Sequence, residues 1–286
     1  MLRPASTLIP LLLALFLPEA LPAQSLLWKI EGKDLGAPSY IYGTIHAICP
    51  DDMVITDAMI DAVGSSARIA LELDLDDPRL IVEMGHHSFM PRDKTINDLF
   101  SEEDFNYLEQ WFRDSIGMSI VPMNNVRPLL LIGLLIGKVL ECTPRSYEDI
   151  FMAMAREQEK EVLGIETLEE QLAAFSVIPL EEQGAMVLHM VRNIDSTRSA
   201  YQELTELYIK QDINGLHQLA LDSGIEYGRY DTALLTTRNQ KWIPRILDIA
   251  SEKPTFFAVG AGHLAGEHGL LNLLRKEGYK TTAIQD

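Results

Sequence analysis

The sequence predicts an α/β fold: a mixed central sheet with helices around it and a long helical insertion. Three observations carry this. Short apolar runs bounded by turn residues stand near both ends of the chain. The stretch from Pro78 to about Lys160 reads as helix. A late strand, Thr255-Phe256-Phe257-Ala258-Val259, runs into a glycine turn that repeats the pattern of one near the start.

In order, Leu26 to Ile30 is a short strand, Glu31-Gly32-Lys33-Asp34 turns it, and Ser39 to Gly43 returns as the second arm of a hairpin. Asp57 to Val63 predicts a helix ending at Gly64. Arg68 to Asp74 predicts a strand in which Ile69, Leu71 and Leu73 alternate with Ala70, Glu72 and Asp74. Ser101 followed by Glu102, Glu103 and Asp104 marks a helix N-terminus, with Phe105, Leu108, Trp111 and Phe112 on the inner face and a stop at Gly117. Arg127-Pro128 opens an apolar helix, and Ser146 to Glu159 forms the next.

Glu161 to Glu166 predicts a further buried strand, and Thr167-Leu168-Glu169-Glu170 is a capping pattern that opens another helix. Three helical stretches run to about Arg245, including Asp195 to Lys210 and Ile213 to Leu221, with a kink or restart expected at Pro244. After the late strand come a helix from Gly269 to Lys276, a turn at Gly278-Tyr279 and a last strand, Lys280 to Ile284.

Composition narrows the function classes. The 286 residues, 47% hydrophobic and 23% charged, are those of a folded globular chain. A net charge of −18 argues against a nucleic-acid partner, since phosphate binding needs clustered Lys and Arg. Arg3, an apolar run from Leu8 to Leu17 and the small-residue site Leu21-Pro22-Ala23 read as an export signal over residues 1–23. Residues 24–286 are then expected as one exported domain, periplasmic or secreted, with its helical middle at about 80–160. The run Leu129 to Ile136 is too short for a membrane span. Cys49 and Cys142 are an even pair in an oxidising compartment, so a disulfide is expected, with two buried thiols as the alternative.

The chemistry gathers around two Gly-x-x-His turns, Gly43-Thr44-Ile45-His46 and Gly260-Ala261-Gly262-His263. Each follows a strand, where α/β sheets place their ligand sites, and Gly43, Gly260 and Gly262 allow close backbone approach. One such turn arises by chance in many chains, and a structural histidine is then the commoner outcome. Two, each after a strand, point to paired imidazole ligands. Glu72 sits in an apolar strand, where a carboxylate is costly unless paired or bound to a cation; a solvated edge face is the alternative. Glu166 ends its strand as an acid and can equally support the adjoining helix cap. Arg238 and Asn239 occupy the same helix face as Leu234, Leu235, Trp242, Ile243 and Ile246, so a buried anion, Glu72 or Glu166, is expected beside Arg238. His86, His87, His189 and His217 carry weaker claims, and His268 is an outlying candidate for contact behind the site. Gly-x-Ser-x-Gly, His-Glu-x-x-His, Walker and dinucleotide signatures are absent from the sequence.

Leu27-Trp28-Lys29-Ile30, Tyr42-Gly43-Thr44-Ile45-His46, Leu71-Glu72-Leu73-Asp74, Gly164 to Gln171, Arg238-Asn239 and Val259 to Gly266 occur here in combination and order. On these landmarks the chain resembles the TraB/GumN/PrgY family, with its bacterial plasmid branch and its animal branch, the TIKI proteases that inactivate secreted Wnt proteins. The resemblance implies a fold similar to the erythromycin-esterase and ChaN-like proteins. It also implies a metal-dependent peptidase using His46, His263 and Glu72. The metal would be a divalent Mn, Co or Zn, and the substrate a peptide or an unfolded N-terminal segment. In that scheme one of Glu72 and Glu166 ligates the metal, the other is the general base, and Arg238 and Asn239 stabilise the oxyanion. Peptide or haem binding without turnover and ester or lactone hydrolysis are the other functions the resemblance allows. Membrane attachment through the C-terminal anchor of TIKI and PrgY-like members is not carried over to this chain.

Overall fold

Six strands form one mixed sheet in a computed structural model that describes residues 24–32, 34–222 and 227–285. The export signal expected over residues 1–23, Lys33 of the first turn and residues 223–226 of the helical stretch lie outside the described residues. The strands are β1 (Leu27–Glu31), β2 (Ser39–Thr44), β3 (Arg68–Leu71), β4 (Glu161–Gly164), β5 (Thr255–Gly260) and β6 (Lys280–Ile284). They lie in the order β4-β3-β5-β2-β1-β6. β1 is antiparallel to β2, as the hairpin predicts, and also to β6, while β4, β3, β5 and β2 run parallel.

β2 and β5 come from opposite ends of the sequence yet are neighbours, with Gly43 paired to Val259 and Thr44 to Gly260. Their carboxyl ends therefore release the two Gly-x-x-His turns side by side. Gly43 is required there: a Cβ would lie 2.7 Å from Leu264 Cδ1 and 3.0 Å from Ala261 Cα. Gly262 is not under the same pressure, since a Cβ would meet only ordinary contacts with Leu235 at 3.9 Å.

Helices cover the sheet and extend beyond it. They are α1 (Asp57–Ser65), α2 (Pro78–His87), α3 (Glu102–Ser115), α4 (Pro128–Leu140), α5 (Tyr147–Glu157), α6 (Leu168–Phe175), α7 (Leu180–Arg192), α8 (Ile194–Ile209), α9 (Ile213–Asp222), α10 (Tyr227–Asp231), α11 (Thr237–Glu252) and α12 (Leu270–Lys276). The predicted caps form: Ser101 accepts from Asp104 N, and Thr167 with Glu170 makes a capping box, each worth about 1 kcal/mol. The main core joins the sheet to α5, α11 and α12. A second apolar cluster holds Leu108 and Phe112 of α3, Leu131 and Leu135 of α4, and Val187 and Val191 of α7. Helical structure thus continues after β4, and α7 completes the core of the expected insertion. No helix among the described residues is long and apolar enough to cross a membrane, and the run from Leu129 to Ile136 lies within α4.

Three expectations need correction. β3 ends at Leu71, so Glu72 begins the bend beyond the strand, and all four β3 residues are buried because the strand is covered on both faces. β4 is an edge strand with Glu161 exposed, not a buried one. Pro244 lies inside a continuous α11; the irregularity is a π-helical turn, Thr232–Thr236, immediately before α11.

Candidate active site

The carboxyl ends of β2, β3 and β5 open into a cavity of about 460 Å³, with His46, Glu72, Arg238, Gly260 and His263 in its wall. The bend after β3 turns Glu72 toward β5, where Gly260 N donates to its Oε1 at 2.8 Å. Arg238 Nη2 donates to Oε2 at 2.6 Å, and Gln171 Nε2 to the same oxygen at 3.3 Å. Burial pushes the Glu72 carboxyl up, but the charges of His263, Arg238 and His46 and the Gly260 N–H outweigh it and hold it at about 2. Glu72 is therefore ionised throughout the ordinary pH range. Asp74, expected on the same face, instead accepts from Asp76 N outside the site.

Glu166 lies behind this layer. Its side chain is 3% exposed, and Arg238 Nε and Nη2 reach its Oε1 at 3.1 and 2.6 Å. Trp242 Nε1 donates to Oε2 at 3.0 Å, and Gln171 Nε2 to Oε1 at 3.2 Å. Both oxygens are committed, and the residue does not line the cavity. Glu166 thus anchors Arg238 rather than facing a substrate, against the expectation that it is a possible general base or metal ligand. Burial works against the Arg238 charge, but Glu72 and Glu166 more than offset it and raise its pKa.

The two histidines are each held by Nδ1. Asn239 Nδ2 donates to the carbonyls of His263 and His268 at 3.2 and 2.8 Å, which fixes the amide and leaves Oδ1 facing His263 Nδ1 at 2.6 Å. An oxygen that can only accept sets the proton on Nδ1, so Nε2 of His263 carries the lone pair. Burial is the main cause that lowers the His263 pKa, to about 3, opposed by Glu72 and helped by Arg238. The ring is neutral and lies against Trp242, with centroids 4.4 Å apart. Asn239 is out of the cavity wall, so it orients His263 and is not placed to contact an oxyanion. His268 takes part only through its backbone carbonyl.

His46 also lines the cavity, with 72% of its side chain exposed, and Glu148 Oε1 lies 3.3 Å from its Nδ1. Thr44 Oγ1 donates to the same Glu148 oxygen at 2.8 Å. The bond to Glu148 raises the His46 pKa, an effect that solvent screens at so open a ring. The loop carrying His46 is fastened beyond it by a bridge between Ile48 and Arg145 and by the Cys49–Cys142 disulfide, the expected alternative to two thiols. From below, Tyr208 Oη donates to Gly43 O at 2.9 Å.

Glu148, Gln171, Trp242 and the cavity-wall residue Asp231 were not legible as site residues from sequence. The only cue for Glu148 is an acid in the first turn of α5, a position where any acid favours the helix dipole. His86, His87 and His189 are exposed outside the cavity, and His217 packs against Gly266.

The donors suit a divalent cation in kind. An ideal Cβ on Gly260 would lie 3.4 Å from Glu72 Oε1, 3.6 Å from His263 Cδ2 and 3.8 Å from His46 Nε2, so the glycine leaves a cradle between the three. Among the described residues no three imidazoles, carboxylates or thiolates stand close enough to form a ready ligand cage. Arg238 Nη1 lies 3.2 Å from His263 Nε2, so ligation by that nitrogen requires Arg238 to release it while keeping its carboxylate bonds.

The family model for the TraB/PrgY/gumN family matches residues 26–283, nearly all of the described chain. The chain belongs to the TraB/PrgY/gumN family. Among curated proteins it is similar to the metalloprotease TIKI2 of Danio rerio, 24% identical over 90% of this chain and 60% of the relative. It is also similar to the metalloprotease TIKI1 of Homo sapiens, 24% identical over 92% of this chain and 62% of the relative. The chain thus spans about three fifths of the length of these relatives. No solved structure matches the chain at a significant level. The landmark residues of this TraB/PrgY/gumN member that face the cavity come from the ends of parallel strands, from α6 through Gln171 and from the first turn of α11 through Arg238.

Proposed function

We propose that the protein is an exported, metal-dependent hydrolase of the TraB/PrgY/gumN family that cleaves peptides. The observation that carries this is the convergence of His46, His263 and Glu72 on Gly260 in one cavity wall. Similarity to proteins named metalloproteases supports the reaction class.

His46 Nε2, His263 Nε2 and Glu72 Oε1 would hold the cation, with Mn, Co and Zn all suited to this donor set. When bound, such a cation lowers the pKa of water toward neutrality and polarises a carbonyl. The remaining steps belong to the chain. Glu148 and Asn239 fix the imidazoles by Nδ1 and present Nε2 to the cavity. Glu166 and Gln171 hold Arg238 and Glu72 in register, which keeps the Glu72 carboxylate ionised and available as the acidic ligand. Of the two acids, the ligand role therefore falls to Glu72. Arg238, already in the cavity wall and released from His263 Nε2, supplies the positive charge opposite a developing oxyanion.

A substrate panel tests the reaction class. Unstructured peptides and activated esters are incubated with the exported protein and each divalent ion in turn. Peptide cleavage with little ester hydrolysis supports the peptidase; ester or lactone turnover without peptide cleavage assigns the site to the other hydrolytic class.

A further inference from the structure

A second cavity, of about 540 Å³, lies between α2, α4, α6 and α7, and its wall is largely apolar, with Leu130, Ile132, Leu168 and Leu172 among its residues. Its volume is within the usual range of ligand pockets, about 300–1,000 Å³. Gln171 and Phe175, one turn apart on α6, line this cavity and the first one alike. Gln171 also donates to Glu72 Oε2 at 3.3 Å. The apolar cavity therefore begins one side chain away from the carboxylate of the candidate active site.

Polar residues, among them His87, Arg127, Glu169 and Gln171, also line the cavity, and among the described residues of its wall one buried side-chain atom lacks a partner. Gln183 of α7 lines the cavity and is 2% exposed. Its Nε2 donates to Ile178 O at 2.9 Å, which fixes the amide because a carbonyl can only accept. Its Oε1 is buried and has no hydrogen-bond partner among the described residues. A buried acceptor left in this state is costly unless something entering the cavity donates to it. At the mouth, Met84 and Leu130 are 48% and 46% exposed, an apolar approach from solvent.

We propose that this cavity is a specificity subsite that takes one large apolar side chain of a peptide substrate, while Gln183 Oε1 accepts a backbone N–H of the same segment. The proposal rests on the peptidase reading and names the substrate feature that reading leaves open. A peptide fits better than a second copy of the chain for two reasons. The cavity shares its α6 wall with the reacting groups, and its one orphaned group is an acceptor, matched to the N–H that an extended backbone carries at each residue.

Gly133 of α4 gives a clean test. It lines the cavity, and a Cβ there meets nothing within 4 Å, so the side chain of Gly133→Leu starts in open space and adds bulk to the cavity. Ala173→Leu on α6 adds bulk from the facing wall and serves if the first variant fails to fold. Fluorescein-labelled decapeptides identical except for Phe or Gly at one scanned position are bound to His46→Ala protein, with anisotropy as the readout, and their cleavage is measured on otherwise wild-type protein. At one position the Phe peptide is expected to bind about tenfold or more tighter than the Gly peptide, as an apolar pocket discriminates. In Gly133→Leu or Ala173→Leu that preference falls to about twofold or less. The proposal is overturned if no position shows a preference, if the preference survives both variants, or if either variant instead converts a dimer to a monomer. Preferential binding without any cleavage leaves the subsite standing and removes the peptidase reading.

Discussion

Thr44 and Gly260 are register partners in adjacent parallel strands, and through that pairing two histidines from opposite ends of the chain reach one cavity. The sheet order β3-β5-β2 adds Glu72 from the third strand end. α11 then packs Arg238 and Asn239 against the carboxylate and the imidazole.

Asn239 acts through His263. Replacing it with Leu removes the acceptor at Nδ1 and frees the ring to take the other tautomer. Metal affinity is expected to fall about 10- to 100-fold, the usual cost of losing a partner behind a ligand. In ¹⁵N spectra of the metal-free protein, His263 changes from one Nδ1–H tautomer to a mixture.

Glu148 acts on His46 in the same way but with a charge. Glu148 favours the protonated ring, so Glu148→Gln is expected to lower the His46 pKa toward its ordinary value near 6.5. An NMR titration of His46 in the metal-free protein measures this. The native pair contributes stability that is full below the unfolded His pKa and is lost as pH rises through the raised folded value. In Glu148→Gln that high-pH loss shrinks.

Much of this arrangement was legible in the sequence. The glycine turns after apolar strands located both histidines, and the polar pair on the Leu234–Ile246 face marked Arg238 and Asn239 as buried. Register was not legible, because the parallel pairing of β2 with β5 joins segments too distant for any local pattern to encode. The sharing of roles between Glu72 and Glu166 was not legible either. Both are acids at strand ends, and only the packing of α6 and α11 shows that Glu166 spends both oxygens on Arg238, Trp242 and Gln171. Glu148 and Gln171 sit on amphipathic helices where acids and amides are ordinary.

Glu170 links the α6 cap to α11. Its bonds to Arg245 are the main cause that lowers its pKa from 4.5 to about 2. A depressed carboxylate adds stability that is present above the unfolded value and lost as pH falls through the folded one. Glu170→Gln is expected to cost about 1 kcal/mol at pH 7, given the partial exposure of the pair, and almost nothing near pH 2. Chemical denaturation at the two pH values checks it.

The Cys49–Cys142 bridge closes a span of 93 residues and ties the chain just past His46 to the end of α4. Cys49→Ser with Cys142→Ser is expected to lower unfolding free energy by about 2–5 kcal/mol. Because the bridge lies three residues past His46, peptide cleavage should fall further at temperatures where the variant is still folded by circular dichroism.

The most direct test of metal-dependent hydrolysis compares peptide cleavage by the purified protein before chelation, after chelation and after readdition of Mn, Co or Zn, beside His46→Ala and His263→Ala. Chelation is expected to abolish cleavage, one of the ions to restore it, and each substitution to lower kcat/KM by about 100-fold or more, with the His46 variant folded as its exposed side chain predicts. Cleavage that persists through chelation and in both variants would contradict the assignment of His46 and His263 as metal ligands.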